Sequence, residues 1–290
     1  MRFSSFHPLI NLLFFTCVIV FAVLCTHPAY LAAGALCALV SALLLGGRRA
    51  AKFSLGAFSA GVLWTAGYAL TMHFGETVIG YTSIGNAVTA EALACGAVQG
   101  MRIAIVLVWV WCLLQVFTAD KVTFLLGRFS PRFAAAVSYV LRALPVLNAK
   151  RRALAVAQCG IGSGPGQGGP IARLRQGARR LDMLASWGAE RGFWASLSAR
   201  SRGSALSGRT AYPLYRFDLR DRSLVIVLVL LATAVGAGIA LDQAAMWFVP
   251  AISMTPWSAA STFFLVAYVL FGLLPAIMRG IGQWRFSHML

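Results

Sequence analysis

Lysine is scarce in this chain: there are three in 290 residues, at positions 52, 121 and 150. Each follows Ala or Asp, whereas a phosphate-cradling loop of the G-x-x-x-x-G-K-[ST] type needs a glycine there and a lysine that reaches the terminal phosphates. No such loop exists, so the glycine-rich stretch "GIGSGPGQGGP" (160–170) is read as a flexible linker. If ATP drives this protein, another chain hydrolyses it. Acids are also few. The eight are Glu76, Glu91, Asp120, Asp182, Glu190, Asp218, Asp221 and Asp242, and none lies in the middle of an apolar run. Ion-coupled carriers and intramembrane enzymes keep ionisable groups there, so both classes lose their usual residues. The four histidines (7, 27, 73, 288) flank the apolar runs, and no H-E-x-x-H or nucleophile-plus-base cluster occurs. The six cysteines (17, 25, 37, 95, 112, 159) lack C-x-x-C spacing, and five fall in or beside apolar runs as small buried thiols. No metal site, cofactor or catalytic centre is expected.

Apolar sequence dominates. The chain is 59% hydrophobic and 11% charged, with mean hydropathy +0.77, whereas soluble domains carry about 25% charged residues. Six runs approach the roughly 20 apolar residues that a membrane span needs: 8–25, 29–46, 53–72, 96–118, 224–241 and 256–278. The predicted fold class is therefore an all-α polytopic membrane protein in three parts. Residues 1–118 hold four spans, 119–222 a cytoplasmic and interfacial segment, and 223–290 two spans and a tail. The first run is expected to be retained, since "FAVLC" puts Leu before the cysteine and no clear small-x-small cleavage site lies beyond the apolar stretch.

The net charge of +17 matches this layout. With the N-terminus inside, 24 of the 25 basic residues fall in cytoplasmic segments, as the positive-inside rule requires. Both chain ends are then cytoplasmic. The exception is Arg102, an intramembrane charge. Such a charge is a functional candidate by default; the alternative is a structural one, paired towards Glu91 or reaching outer-leaflet headgroups, and a structural role inside the bundle is favoured.

The cytoplasmic segment is unusual. In "TADKVTFLLGRFSPRFAAAVSYVLRALPVLNAKRR", Thr118 and Asp120 are candidate caps. Pro131 starts an amphipathic helix with Phe133, Val137, Val140, Leu141 and Leu144 on one side, at or under the membrane surface. A second amphipathic stretch places Ile171, Leu174, Ala178, Leu181 and Ala185 at helical spacing, with arginines opposite. Fourteen basic and four acidic side chains lie between Lys150 and Arg222, interleaved with Trp187, Phe193, Trp194, Tyr212 and Tyr215. A positive flank needs only a few charges near helix ends. Arginine with aromatics is favoured at protein interfaces, and no nucleic-acid module is present. The segment reads as a docking surface for protein, not nucleic acid.

Three segments in order, "FHPLINLLFFTCVIVFAVLCTHPAYL", the 118–152 stretch above and "ARSRGSALSGRTAYPLY", resemble the transmembrane T component of energy-coupling factor (ECF) transporters. The resemblance covers most of the chain. It implies a membrane scaffold whose two cytoplasmic coupling helices end in Ala-Arg-Gly-like tips docked on two ABC ATPases. These helices also hold a separate substrate-binding S component for a vitamin or metal ion. By position, one tip is Ser201-Arg202-Gly203, with Ala199-Arg200-Ser201 as the alternative register and Arg209 and Tyr212 as supporting residues. The other tip falls at Gln158-Cys159-Gly160, where cysteine replaces the arginine. The implied partners are two ATPase subunits or domains, the S component and the lipid bilayer of the plasma (inner) membrane. The chain itself would be no enzyme. Competing classes are a membrane-embedded enzyme such as a phospholipid head-group transferase, and a stand-alone permease.

Overall fold

Two His-Pro steps set the first helices. His7 and His27 each precede a proline at the first helical position, where its fixed φ suits a helix start. Each imidazole Nδ1 accepts the backbone N–H two residues on, from Leu9 at 3.3 Å and from Ala29 at 3.2 Å. These caps open α1 (Pro8–Leu24) and α2 (Pro28–Gly46). The computed structural model describes residues 3–81, 87–162, 169–204, 206, 215, 217–249 and 251–287. The remaining helices are α3 (Arg48–Thr71), α4 (Ala90–Val116), α5 (Ala119–Phe129), α6 (Pro131–Gly160), α7 (Pro170–Ser201), α8 (Leu219–Ala240) and α9 (Ala259–Ser287). Among the described residues the only strands are two small antiparallel pairs, β1 (Val78–Tyr81) with β2 (Ala87–Thr89), and β3 (Met246–Trp247) with β4 (Ser253–Met254). The protein is all-α in class and membrane-embedded in character.

The chain divides into two units, Met1–Thr118 with Tyr215–Leu290, and Ala119–Leu214. The first is a bundle of α1–α4, α8 and α9. Five of these helices are long and apolar enough to cross a membrane. The sixth, α1, has 17 residues, about 26 Å of rise against a hydrocarbon core of about 30 Å. It nevertheless runs along the bundle: Phe3, just ahead of it, borders the same cavity as Arg279 of α9, while its last carbonyls meet Arg102 near the other end. Side-chain packing joins these helices, because lipid tails remove the hydrophobic drive that water supplies. Phe14 sits at the centre, with ring centroids 5.2 Å from Phe15, 5.3 Å from Phe271 and 5.9 Å from Trp109.

α3 and α4 approach most closely at Gly61 and Gly100, where a methyl group on either would overlap the carbonyl of the other. Thr65 completes the contact by donating to the carbonyls of Gly61 (3.0 Å) and Gly96 (3.1 Å). Small residues four apart let membrane helices pack backbone to backbone.

The helices overrun the apolar runs. α3 takes in Arg48 and Arg49, and α4 begins at Ala90, six residues before the predicted span. There Thr89 caps the helix by accepting the Ala92 N–H at 3.3 Å. Glu91 in the first turn is buried and accepts the Thr77 hydroxyl at 2.6 Å and the Thr77 N–H at 3.3 Å. Across the same end of the bundle, the α1–α2 turn is tied to the α8–α9 loop. Thr26 and His27 donate their N–H groups to the Ala244 carbonyl, both at 2.9 Å, and the Met246 N–H donates to the Thr26 hydroxyl at 2.7 Å.

In the second unit α5 packs along α6. Asp120 lies in the first turn of α5, where a negative charge faces the helix dipole favourably. Ser130 starts α6 by accepting the Phe133 N–H at 3.5 Å. Lys121 is buried, and burial pushes its ammonium down to about 8.

Candidate functional site

α6 and α7, 30 and 32 residues long, form an antiparallel hairpin. Gln158 Oε1 accepts from Arg180 Nε at 2.5 Å, Leu147 meets Gly188, and the Tyr139 hydroxyl lies against Gly192. Lys150 and Arg191 sit over the Trp187 ring at 5.3 and 5.4 Å, a cation–π arrangement that neutralises none of the charge.

The face that α7 turns to α6 is a mixed one, with Arg180, Leu184, Trp187, Gly188 and Gly192 only partly exposed. Its apolar edge points away. Ile171, Leu174 and Leu181 are 78, 78 and 69% exposed, and Ala178 and Ala185 are exposed with them. No described residue of α7 is buried. A helix whose apolar stripe and arginines both face outward presents an interface, since such a stripe otherwise packs into a core.

The two ends of the hairpin carry the predicted tips. At the end of α7, Gly203 adopts φ +79°, a left-handed conformation that costs other residues about 1–2 kcal/mol. Its N–H donates to the Arg200 carbonyl at 2.9 Å and the Ser204 N–H to the Ala199 carbonyl at 3.0 Å, the paired bonds of a Schellman stop. Arg202 is the capping residue and exposed; the Ser201 hydroxyl is turned back on the Ser198 carbonyl at 2.9 Å. Arg200, also exposed, stands two residues earlier, about 200° round the helix. The two registers therefore aim different arginines in different directions. Arg209 and Tyr212 lie outside the described residues.

α6 also ends on a left-handed glycine. Gly162 adopts φ +75° and donates to the Cys159 carbonyl at 3.1 Å, with Ile161 as the cap. Matching the two stops pairs Gly162 with Gly203, Ile161 with Arg202 and Cys159 with Arg200. Alignment by the helix stops therefore sets Ile161 against Arg202 and Cys159 against Arg200, two residues away from the motif alignment that sets Cys159 against Arg202. Gln158 belongs to the hairpin contact with Arg180, and Cys159 and Gly160 are exposed. Because Gln158 meets Arg180, some 22 residues before Arg202, the two ends stand about 33 Å apart along α7.

Arg102 is not paired with Glu91, whose carboxylate is held by Thr77. Its guanidinium lies on the end of α1 and donates to the carbonyls of Cys25 (3.0 Å) and Leu24 (3.2 Å). The last carbonyls of a helix have no intrahelical partner and carry its negative pole, so Arg102 caps α1 from a neighbouring helix. Sequence spacing within one helix pointed to Glu91; nothing in it indicated a partner 77 positions away.

Among the described residues no group of three or more His, Cys, Asp and Glu could hold a metal ion. The features that sequence reasoning missed, the outward apolar edge of α7 and the cap equivalence at Ile161, depend on which helix face is covered and where each helix stops. No protein-family model matches the chain, and no curated protein matches its sequence.

Proposed function

We propose that this chain is the transmembrane scaffold of an ECF-type ABC importer, coupling ATP hydrolysis by partner ATPases to movement of a substrate-binding membrane component that carries a vitamin or metal ion. One observation carries the reading: a long cationic helix, α7, keeps its apolar edge and both terminal arginines exposed at a well-formed stop. A guanidinium offers five donors in a planar fork suited to carboxylates and carbonyls, and a left-handed glycine ends the helix just beyond it. The reading also draws on the layout of charge. Arg48, Arg49, Lys52, Arg220, Arg222 and Arg279 belong to one end of the bundle, the end at which the chain leaves at Thr118 and resumes at Tyr215. In this proposal that end faces the cytoplasm of the plasma membrane and carries the N- and C-termini, α1 is the sixth span, and α5–α7 are the coupling segment. No specific observation favours a head-group transferase or a stand-alone permease.

Capture of the ATPases tests it. Tagged full-length chain carrying Arg202→Ala, co-expressed with a candidate ATPase pair and membrane component, should recover less ATPase than wild type at equal membrane insertion, while Arg200→Ala marks the other register. An anchored interface arginine contributes about 2 kcal/mol or more, so recovery should fall at least ten-fold at limiting partner. Undiminished recovery and uptake in both variants would remove the docking assignment.

A further inference from the structure

At the basic end of the bundle, α2, α4 and α9 enclose a cavity of about 360 Å³ bordered by Ser41, Leu44, Leu45, Gln115, Pro275 and Arg279, among others. We propose that it is a binding site for one anionic phospholipid, whose phosphodiester headgroup sits on Arg279 and whose acyl chain runs out along α2.

Four observations lead there. The first is charge. Among the described residues the cavity has a guanidinium and no acidic side chain on its wall, and the exposed Arg48 and Arg49 come directly after α2. Arg279 gives one N–H to the Leu44 carbonyl, and the guanidinium has five donors, so the fork retains capacity for phosphate oxygens. The second is an unmatched polar group. The Ser41 side chain is 1% exposed, lines the cavity one turn deeper, and its hydroxyl has no hydrogen-bond partner among the described residues. A buried hydroxyl without a partner is costly, and the glycerol and ester oxygens below a headgroup are acceptors at that depth.

The third is position. Leu44 and Leu45 lie in the last turn of α2, which ends at Gly46, so the site stands where hydrocarbon gives way to headgroups. Basic pockets between membrane helices at this level select anionic lipids. The fourth is the exit. Leu36, Val40, Leu43 and Leu44 are exposed along one face of α2, an apolar track leading about 12 Å from the cavity towards the bilayer centre. The volume lies near the lower end of ligand pockets, about 300–1,000 Å³. It suits a headgroup whose chains remain outside.

Native mass spectrometry of the full chain in neutral detergent, with phosphatidylglycerol and phosphatidylcholine of matched chains, tests the site. Wild type should retain one phosphatidylglycerol, favoured over phosphatidylcholine by about ten-fold. Arg279→Gln should abolish that preference. Leu45→Trp, which fills the mouth from an exposed position, should do the same, and Arg222→Gln, on α8 and off the cavity wall, should leave it intact. Because Arg279 also holds the Leu44 carbonyl, Arg279→Gln is checked for a wild-type thermal melt; if it unfolds, Leu45→Trp decides. Excess sn-glycerol 1-phosphate should not displace the lipid, and displacement would make this a site for free phosphate esters. Equal retention of both lipids by wild type, or undiminished preference in Leu45→Trp, would overturn the proposal.

Discussion

Replacing Arg102 by Met separates two roles for the one charge inside the apolar part of the chain. The substitution keeps the length of the stem and deletes the fork that binds the Cys25 and Leu24 carbonyls at 3.0 and 3.2 Å. Hydrogen bonds to a charged group contribute about 1.5–3 kcal/mol each. Part of that is offset because the half-buried guanidinium no longer has to be kept from water, and the α1–α2 turn retains its bonds to Ala244. A net loss of about 2–3 kcal/mol remains, equivalent to roughly 4–12 °C in thermal midpoint for a chain of this size. Arg102→Lys should fall between, since an ammonium is a point charge that cannot span two carbonyls in a planar fork. The assay is thermal unfolding of the purified chain in detergent, read beside uptake in cells that co-express the ATPase pair and membrane component of the proposed function. A structural charge lowers the midpoint and reduces uptake only in proportion to protein lost. A wild-type midpoint with abolished uptake would refute the capping argument and make Arg102 a working charge.

Gly203→Ala should destabilise the end of α7 by about 1 kcal/mol and fray the turn that presents Arg202, read as faster amide exchange over 199–204 and weaker ATPase recovery. Gly100→Leu should prevent α3 and α4 from meeting and abolish folded protein in size-exclusion chromatography, whereas Gly56→Ala, in open space, should be silent. Acidification tests the His27 cap. Burial holds the His27 imidazole below its ordinary value, so the folded state favours the neutral ring whose Nδ1 caps α2. That contribution is complete above about pH 6.5 and declines as pH falls below it. Between pH 7.5 and 5 the midpoint should drop by the equivalent of up to about 1 kcal/mol, and His27→Asn, a cap that does not titrate, should flatten this dependence.

The class of fold was legible because apolar runs and basic flanks are properties of composition and order. The ends of the helices were less legible, because Thr89 and the Arg48-Arg49 pair extend helix beyond the apolar stretch for reasons of capping and geometry that hydropathy does not register. At the candidate site, the position of Gly203 and the arginines beside it could be read directly, since glycine after a helical run is itself a stop signal. The partner of Arg102 could not, because Leu24 and Cys25 contribute carbonyls, which every residue carries. Nor could the covered face of α7. Its regular apolar spacing suggests an inward stripe, yet Gly188 and Gly192 let α6 come close on the other side, and the apolar edge is left outward.

That inversion bears on how the hairpin's two ends differ. If both ends docked through an arginine at the cap, the cap position of α6 would carry one; it carries Ile161, 78% exposed, and Arg180 of α7 is bonded to Gln158. An exposed isoleucine at a helix stop can enter an apolar groove but cannot satisfy carboxylates or carbonyls. If both ends dock as proposed, their cap residues call for grooves of different chemistry, one lined with acceptors and one apolar. The docking proposal then predicts two non-identical ATPase surfaces. Ile161→Arg should improve recovery of an ATPase that normally binds Arg202 and impair recovery of the other, measured with each ATPase separately tagged. Equal effects on both would mean that the ends are interchangeable and that the cap residues do not select the partner.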